Sequence, residues 1–413
     1  MPYNNPLFML FDQAPPLSGQ KVRYAGLHGS SDAFALSQFA EKHKPLIIIT
    51  ETAQDAQRLL EEIPYFAPKL KVNLLPDWET LPYDSFSPHP DLVSERLATL
   101  YHITHNDCDV AIIPVTTALY RLPPPSYLAA YTFFIKQGEK LQADTLRSQL
   151  TLAGYTHVSQ VLAPGEYCVR GGLIDLFPMG SPLPYRIDLL DDEVESIRTF
   201  DADTQRSVYP VKEIRLLPAR EFPLDEKGQE RFRVNFRERF EGDPSKSRLY
   251  KDVSQGLAPA GIEYYLPLFF DETATLFDFL PESAALCLHR EVMRAMENFW
   301  RDTQSRYQLL RGDRNRPLLP PQDLFLSVDQ FFSGCKVFPR IEITTNESAD
   351  ASLCATTLLP DVAVDRRAEN PLAKLSGFLQ SFDGRVLLLV ESLGRRETVY
   401  EYLNEYGVKS VLC

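Results

Sequence analysis

Apolar residues in the first third of the chain come in unbroken runs. Leu46 to Thr50 and Asp109 to Val115 are continuous stretches suited to buried parallel strands, and Leu70 to Leu75 predicts a third. Between them the period lengthens to that of a helix. Thr52 with Asp55 resembles a capping box opening a helix that carries Leu59 and Leu60. Beyond the Pro-rich stretch near Pro82 and Pro88, Leu92, Leu97 and Leu100 mark a second helix. Strands alternating with amphipathic helices predict an α/β arrangement with right-handed crossovers.

Pro123-Pro124-Pro125 punctuates the chain, and short alternating strands follow, around one helix at about Asp144 to Ala153. This pattern predicts a separate α+β insert ending near Pro218. Two of its strands lie in Arg170 to Pro178, Arg-Gly-Gly-Leu-Ile-Asp-Leu-Phe-Pro, and in Tyr185 to Leu190, which leads into the turn Asp191-Asp192. Period two puts Tyr185, Ile187 and Leu189 on one face and Arg186, Asp188 and Leu190 on the other. A leucine among charges is the pattern of a small recognition patch, in which one side chain fills a pocket while Arg170 and Arg186 make paired hydrogen bonds. The residues alone leave a blander alternative open, with Leu190 covered by a neighbouring loop and both arginines solvated. On either reading the arginines sit on polar strand faces, so removing them is expected to empty no core.

Further along, Glu226 to Phe240 predicts a highly charged helix, Ala284 to Leu288 a strand and Glu291 to Leu310 a long helix. Arg316 to about Pro360 is Pro-rich and reads as irregular. Arg385 to Val390 predicts a strand, Arg395 to Tyr406 a helix, and Val408 to Leu412 another strand inside which the chain stops, a pattern expected of a cut fragment.

At 413 residues, two to four domains are expected. The composition, 44% hydrophobic and 24% charged, is that of a soluble globular protein, and a net charge of -13 opposes a general DNA-coating role. Six scattered cysteines, without close pairs or a histidine at ligand spacing, argue against structural zinc and a disulfide framework and fit a reducing cytoplasm. The N-terminus lacks the pattern of a signal peptide, and no segment has the length and apolarity of a membrane span.

Nucleotide chemistry is the main enzymatic possibility. A working phosphate loop needs glycines, a lysine and a Ser or Thr for magnesium. The nearest candidate, Gly26 to Asp32, lacks the lysine, and Asp32 reads as a first-turn helix residue favoured by the helix dipole. Phe269-Phe270-Asp271-Glu272 superficially resembles a magnesium motif, but Pro267 is a poor residue for a central strand. The acidic run Asp188 to Glu195 reads as a solvated hairpin tip and Cys168 as a small apolar filler. Arg231, Arg233, Arg237 and Arg239 interleave with Glu230, Glu238 and Glu241, the look of a solvated helix laced with ion pairs.

Several stretches carry a resemblance over nearly the whole chain: Asp77-Trp78-Glu79-Thr80-Leu81-Pro82-Tyr83-Asp84-Ser85-Phe86-Ser87-Pro88-His89, Pro259 to Tyr265, Leu276 to Pro281 and Leu318 to Gln322, together with the strands around Arg170 and Arg186. They are similar to the N-terminal region of the bacterial transcription-repair coupling factor (Mfd) family, and several also resemble the excision-repair protein UvrB. The resemblance implies a degenerate helicase-like α/β domain (residues 1–125 and 219–350), an inserted α+β UvrA-binding domain (126–218) and the truncated start of a further α/β domain (360–413). It implies UvrA as partner, with Arg170 and Arg186 matching the family's paired UvrA-facing arginines and Leu190 standing where the family can have Phe. The UvrB-like register expects Asp-Glu where this chain has His289-Arg290, so neither catalytic residues nor a bound cofactor or metal is expected here. ATP and magnesium, RNA polymerase and double-stranded DNA are implied for the whole family protein, a cytoplasmic translocase whose C-terminal part can mask the UvrA-facing surface. Two alternatives are an active UvrB-like damage-binding helicase and a regulatory domain that restrains the motor.

Overall fold

The unbroken apolar runs become strands covered on both faces. The computed structural model describes residues 16–313, 315–345, 351–354, 356–358 and 360–411, and the chain divides into two units between residues 355 and 356. The first four strands are β1 (Lys21–Ala25), β2 (Leu46–Thr50), β3 (Val72–Leu74) and β4 (Val110–Pro114), and every residue of β2 and β4 is buried. Ile47 and Ile49 enter one core with Leu97 and Leu100, while Leu46 and Ile48 enter a second with Leu36, Leu59 and Ile63. A strand with helices on both sides has no solvent face, which explains the absence of alternation. Thr52 caps the helix Ala53–Phe66 as its sequence predicts: Asp55 N donates to Thr52 Oγ1 at 3.0 Å, and the Thr52 hydroxyl donates to Asp55 Oδ2 at 2.8 Å.

Residues 133–216 supply β5 (Phe133–Lys136), β6 (Thr156–His157), β7 (Glu166–Arg170), β8 (Leu173–Leu176), β9 (Tyr185–Leu190), β10 (Glu193–Phe200), β11 (Ser207–Val211) and β12 (Glu213–Leu216). Six of them form one sheet in the order β11-β10-β9-β8-β7-β6, and β12 pairs with β5. One face buries Ile174, Ile187, Val194 and Ile197, continuous with Leu146 and Leu150 of the helix Ala143–Leu152. Each such side chain contributes roughly 1.5–3 kcal/mol. The opposite face holds a small cluster, Val161, Cys168, Phe177 and Phe200.

The chain then returns to the first sheet with β13 (Ala285–His289), β14 (Arg340–Ile343) and β15 (Ala351–Leu353). The sheet order is β15-β1-β14-β13-β2-β4-β3, parallel throughout. Its centre is therefore built from segments separated by the whole insert. The expectation of irregular structure from Arg316 to Pro360 is corrected here, because β14 lies between β1 and β13 and the helix Val328–Cys335 packs beside it. Charges at alternate positions, Arg340 and Glu342, hid this strand. Glu342 is neutralised inside the sheet by Arg23 at 2.6 Å and Arg340 at 3.0 Å.

Aromatic side chains form a further core: Trp78, Tyr83, Tyr120, Tyr264, Phe232 and Phe325. Arg96 is fully buried within the same region, where its Nε donates to Glu221 Oε1 at 2.5 Å, its Nη1 donates to Pro76 O at 2.9 Å and its guanidinium lies 5.0 Å from the Trp78 ring. Within the Trp-Glu-Thr-Leu-Pro-Tyr-Asp stretch, Trp78, Pro82 and Tyr83 are buried, while Glu79 and Leu81 are exposed. Residues 262–269 are a 3-10 helix, so Phe269 to Glu272 do not end a strand. The arginines of the helix Glu226–Arg239 also differ from expectation. Arg231 pairs with Asp271, Arg239 with Asp323 at 2.9 Å, and Arg237 donates to Tyr250 Oη at 2.6 Å, so partners come from other elements rather than from the interleaved glutamates.

The second unit contains the helices Ala373–Ser381 and Leu393–Glu405 around Leu372, Leu375, Leu403 and Val408. The strand expected at Arg385 to Val390 is absent: these residues are exposed and irregular, with no extended neighbour to complete their hydrogen bonds among the described residues. Residues 408–411 are likewise irregular, and Leu412 lies outside the described residues.

Candidate functional site

In open parallel sheets, ligands bind beyond the carboxyl ends of the strands. Here that position is filled by the chain's own charges. Asp32 opens the helix Ser31–Lys42 just after β1, and its side chain is 4% exposed. Arg58 grips it with Nη1 to Oδ1 at 3.0 Å and Nη2 to Oδ2 at 2.6 Å, His289 Nε2 lies 2.8 Å from Oδ2, and Ala33 N donates to Oδ1 at 2.7 Å. Burial pulls the Asp32 pKa up, but the hydrogen bonds from His289 and Arg58 outweigh it and hold the carboxyl well below the usual carboxylate range. Beside it Arg290 Nη1 reaches Asp55 Oδ1 at 2.8 Å. The residues at the expected Asp-Glu position thus engage carboxylates of the helices Ser31–Lys42 and Ala53–Phe66, where a phosphate would need free cations. Asp32 is more than a dipole-favoured first-turn residue, a role its sequence context did not reveal.

The second charged cluster lies on the six-stranded sheet. Cys168, Asp175, Arg186 and Arg198 are consecutive register partners across β7, β8, β9 and β10, so they form one row. Alternation places Arg170 and Leu190 on that same face. The turn joining β7 and β8 requires Gly171, with φ +61, and Gly172, where a Cβ would approach Leu189 O to 2.8 Å. Asp175 is 1% exposed, and Arg186 meets it bidentately, Nε to Oδ1 at 2.7 Å and Nη2 to Oδ2 at 2.9 Å. Arg186 Nη1 also donates to Gln205 O at 3.2 Å, and the guanidinium lies 4.9 Å from the Phe200 ring. These contacts set aside the alternative in which Arg186 is simply solvated, and although removing it empties no core, its removal would strand a buried carboxylate.

Arg170 differs. Its side chain is 53% exposed, with Nε donating to Cys168 Sγ at 3.3 Å, Nη2 donating to Ser159 O at 3.2 Å and Asp175 3.8 Å away. Leu190 is 63% exposed just before the Asp191 turn, so no loop among the described residues covers it. Sequence reasoning missed Asp175. Its signal was an acidic residue inside the apolar run Leu-Ile-Asp-Leu-Phe.

Among the described residues, no cluster of three or more His, Cys, Asp or Glu could hold a metal ion, and no helix is long and apolar enough to cross a membrane. Cys108, Cys168, Cys287, Cys335 and Cys354 are buried free thiols; Cys413 lies outside the described residues. Burial pushes Cys108 and Cys335 up to about 12.

Residues 133–222, which contain this sheet, match the UvrB interaction domain, and residues 378–413 match the MFD, D3 domain. The transcription-repair-coupling factor of Escherichia coli is 44% identical over 395 residues, covering 94% of this chain and 34% of that protein. This chain belongs to the transcription-repair coupling factor family. The Haemophilus influenzae relative is 42% identical over 92% of this chain and 33% of its own length, and the Bacillus subtilis relative 30% over 66% and 24%. The chain therefore spans about a third of the length of the first two relatives, including the family's UvrB-like region.

Proposed function

We propose that this chain is the UvrA-recruiting module of a transcription-repair coupling factor and does no nucleotide chemistry of its own. The observation that carries the reading is the exposed face of the UvrB interaction domain, where Arg170 presents donors and Leu190 is bare on the same sheet face. A guanidinium and an apolar anchor on one face suit a partner offering both a carboxylate and a pocket. Arg186, fixed on Asp175, supplies a second, oriented cation. In the whole family protein, ATP with magnesium, double-stranded DNA and RNA polymerase belong to the remaining segments, and this chain brings the excision machinery to the stalled polymerase in the cytoplasm.

The self-paired Asp32, Arg58 and His289 cluster supports the absence of nucleotide binding. Calorimetric titration of UvrA into this chain tests recruitment: saturable binding is expected, and none at tens of micromolar contradicts it. Mg-ATP added to the chain is expected to give neither saturable heat nor phosphate release. With a net charge of -13, duplex DNA at physiological salt is expected to bind weakly in fluorescence anisotropy.

A further inference from the structure

We infer that Asp175 is the positioning residue of the UvrA-facing surface, an inference that rests on the recruitment reading above. Two like-charged arginines whose guanidiniums approach the same carboxylate from β7 and β9 repel, and flexible side chains pay entropy when a partner immobilises them. Asp175 addresses both costs. Its buried carboxylate holds the Arg186 fork in one plane at 2.7 and 2.9 Å, with Phe200 near that plane's guanidinium carbon, and lies 3.8 Å from Arg170 Nη2. Of the five N–H groups of Arg186, the Asp175 and Gln205 bonds engage three, which leaves one N–H on each Nη for a partner. One carboxylate between two guanidiniums leaves these three groups with a net charge of about +1, while Asp188 and Arg198 on the same face offset each other at 3.8 Å, so the two arginines can meet an acidic partner without unmanageable repulsion between them. Asp175 is too buried to touch that partner; it acts through the arginines.

The test is a UvrA titration of Asp175→Asn, Arg186→Ala, Arg170→Ala and the Asp175→Asn/Arg186→Ala double variant, each with a thermal melt and each titrated well below its melting temperature. A positioning role predicts roughly tenfold weaker binding for Asp175→Asn and little further loss when Asp175→Asn is added to Arg186→Ala. A merely structural role would lower the melt and leave the two binding losses additive. Should Asp175→Asn fail to fold, Asp175→Glu, which keeps the charge but displaces the carboxylate by a methylene, carries the same expected loss. Parent-like affinity in either folded Asp175 variant, or additive losses, overturns the inference. Parent-like affinity in both Arg170→Ala and Arg186→Ala places the UvrA-facing surface elsewhere and overturns the inference with it, whereas no UvrA binding by the parent chain overturns the recruitment reading beneath it.

Discussion

Asp32 and Asp175 are both buried carboxylates held by a bidentate arginine, yet their surroundings differ. Around Asp32 the contacts close on themselves: Arg58 is shared with Glu62 at 2.7 Å, His289 comes from the central strand, and the helix N-terminus adds a backbone donor. Around Asp175 the same chemistry stops half-way, with Arg170 and Leu190 left facing outward. A buried charge needs compensation wherever it lies. Whether the compensation is completed within the chain separates a staple from a recognition surface.

Removing one partner from the closed cluster is expected to have the largest effect. Arg58→Ala leaves Asp32 with His289 as its remaining side-chain partner and should cost about 3–5 kcal/mol in denaturant melts, with UvrA affinity unchanged in the folded fraction. The depressed Asp32 pKa fixes the sign of the pH dependence. Its contribution is fully present above the ordinary aspartate value and is lost as pH falls through the lower folded value. Asp32→Asn should therefore flatten acid unfolding. An Arg58→Ala variant that melts like the parent would break the comparison.

Arg186→Ala should cost about 2–4 kcal/mol of stability as well as UvrA binding, because it strands Asp175. Arg170→Ala should weaken binding about tenfold or more with an unchanged melt. Equal melts for the two variants would mean that Asp175 tolerates losing its fork.

Glu263 sharpens the comparison by lacking such a fork. It is half-buried, accepts from Ser87 Oγ at 2.9 Å, and desolvation pushes its pKa up to about 7. The folded chain therefore binds the extra proton, and stability falls as pH rises from the ordinary glutamate value towards 7. Glu263→Gln should remove that fall, a gain on the order of 1 kcal/mol at pH 8, read from melts across pH. The smallest effects belong to Leu190. Leu190→Ala should weaken UvrA binding less than Arg170→Ala does, and Leu190→Phe should tighten it modestly by adding ring area.

The parallel sheet was legible because β2 and β4 are apolar on both faces, a pattern that polar or one-sided strands do not share. The short strands β1 and β14 were not, since Lys21, Arg23, Arg340 and Glu342 reach one another only after strands far apart in sequence pair. The same distance hid the Asp32 and His289 contact, 257 positions apart. On the insert, period two placed Arg186 and Leu190 on one face because the rule is local. It could not show that Arg186 is spent on Asp175, which depends on the register of β8 against β9.

The most direct test of the open-surface account is calorimetric titration of UvrA into the parent chain and into Arg170→Ala, with melts recorded on the same samples. The account predicts saturable binding by the parent, about tenfold or greater loss in Arg170→Ala, and superimposable melts. Equal affinity in two equally folded proteins would place the recognition surface elsewhere.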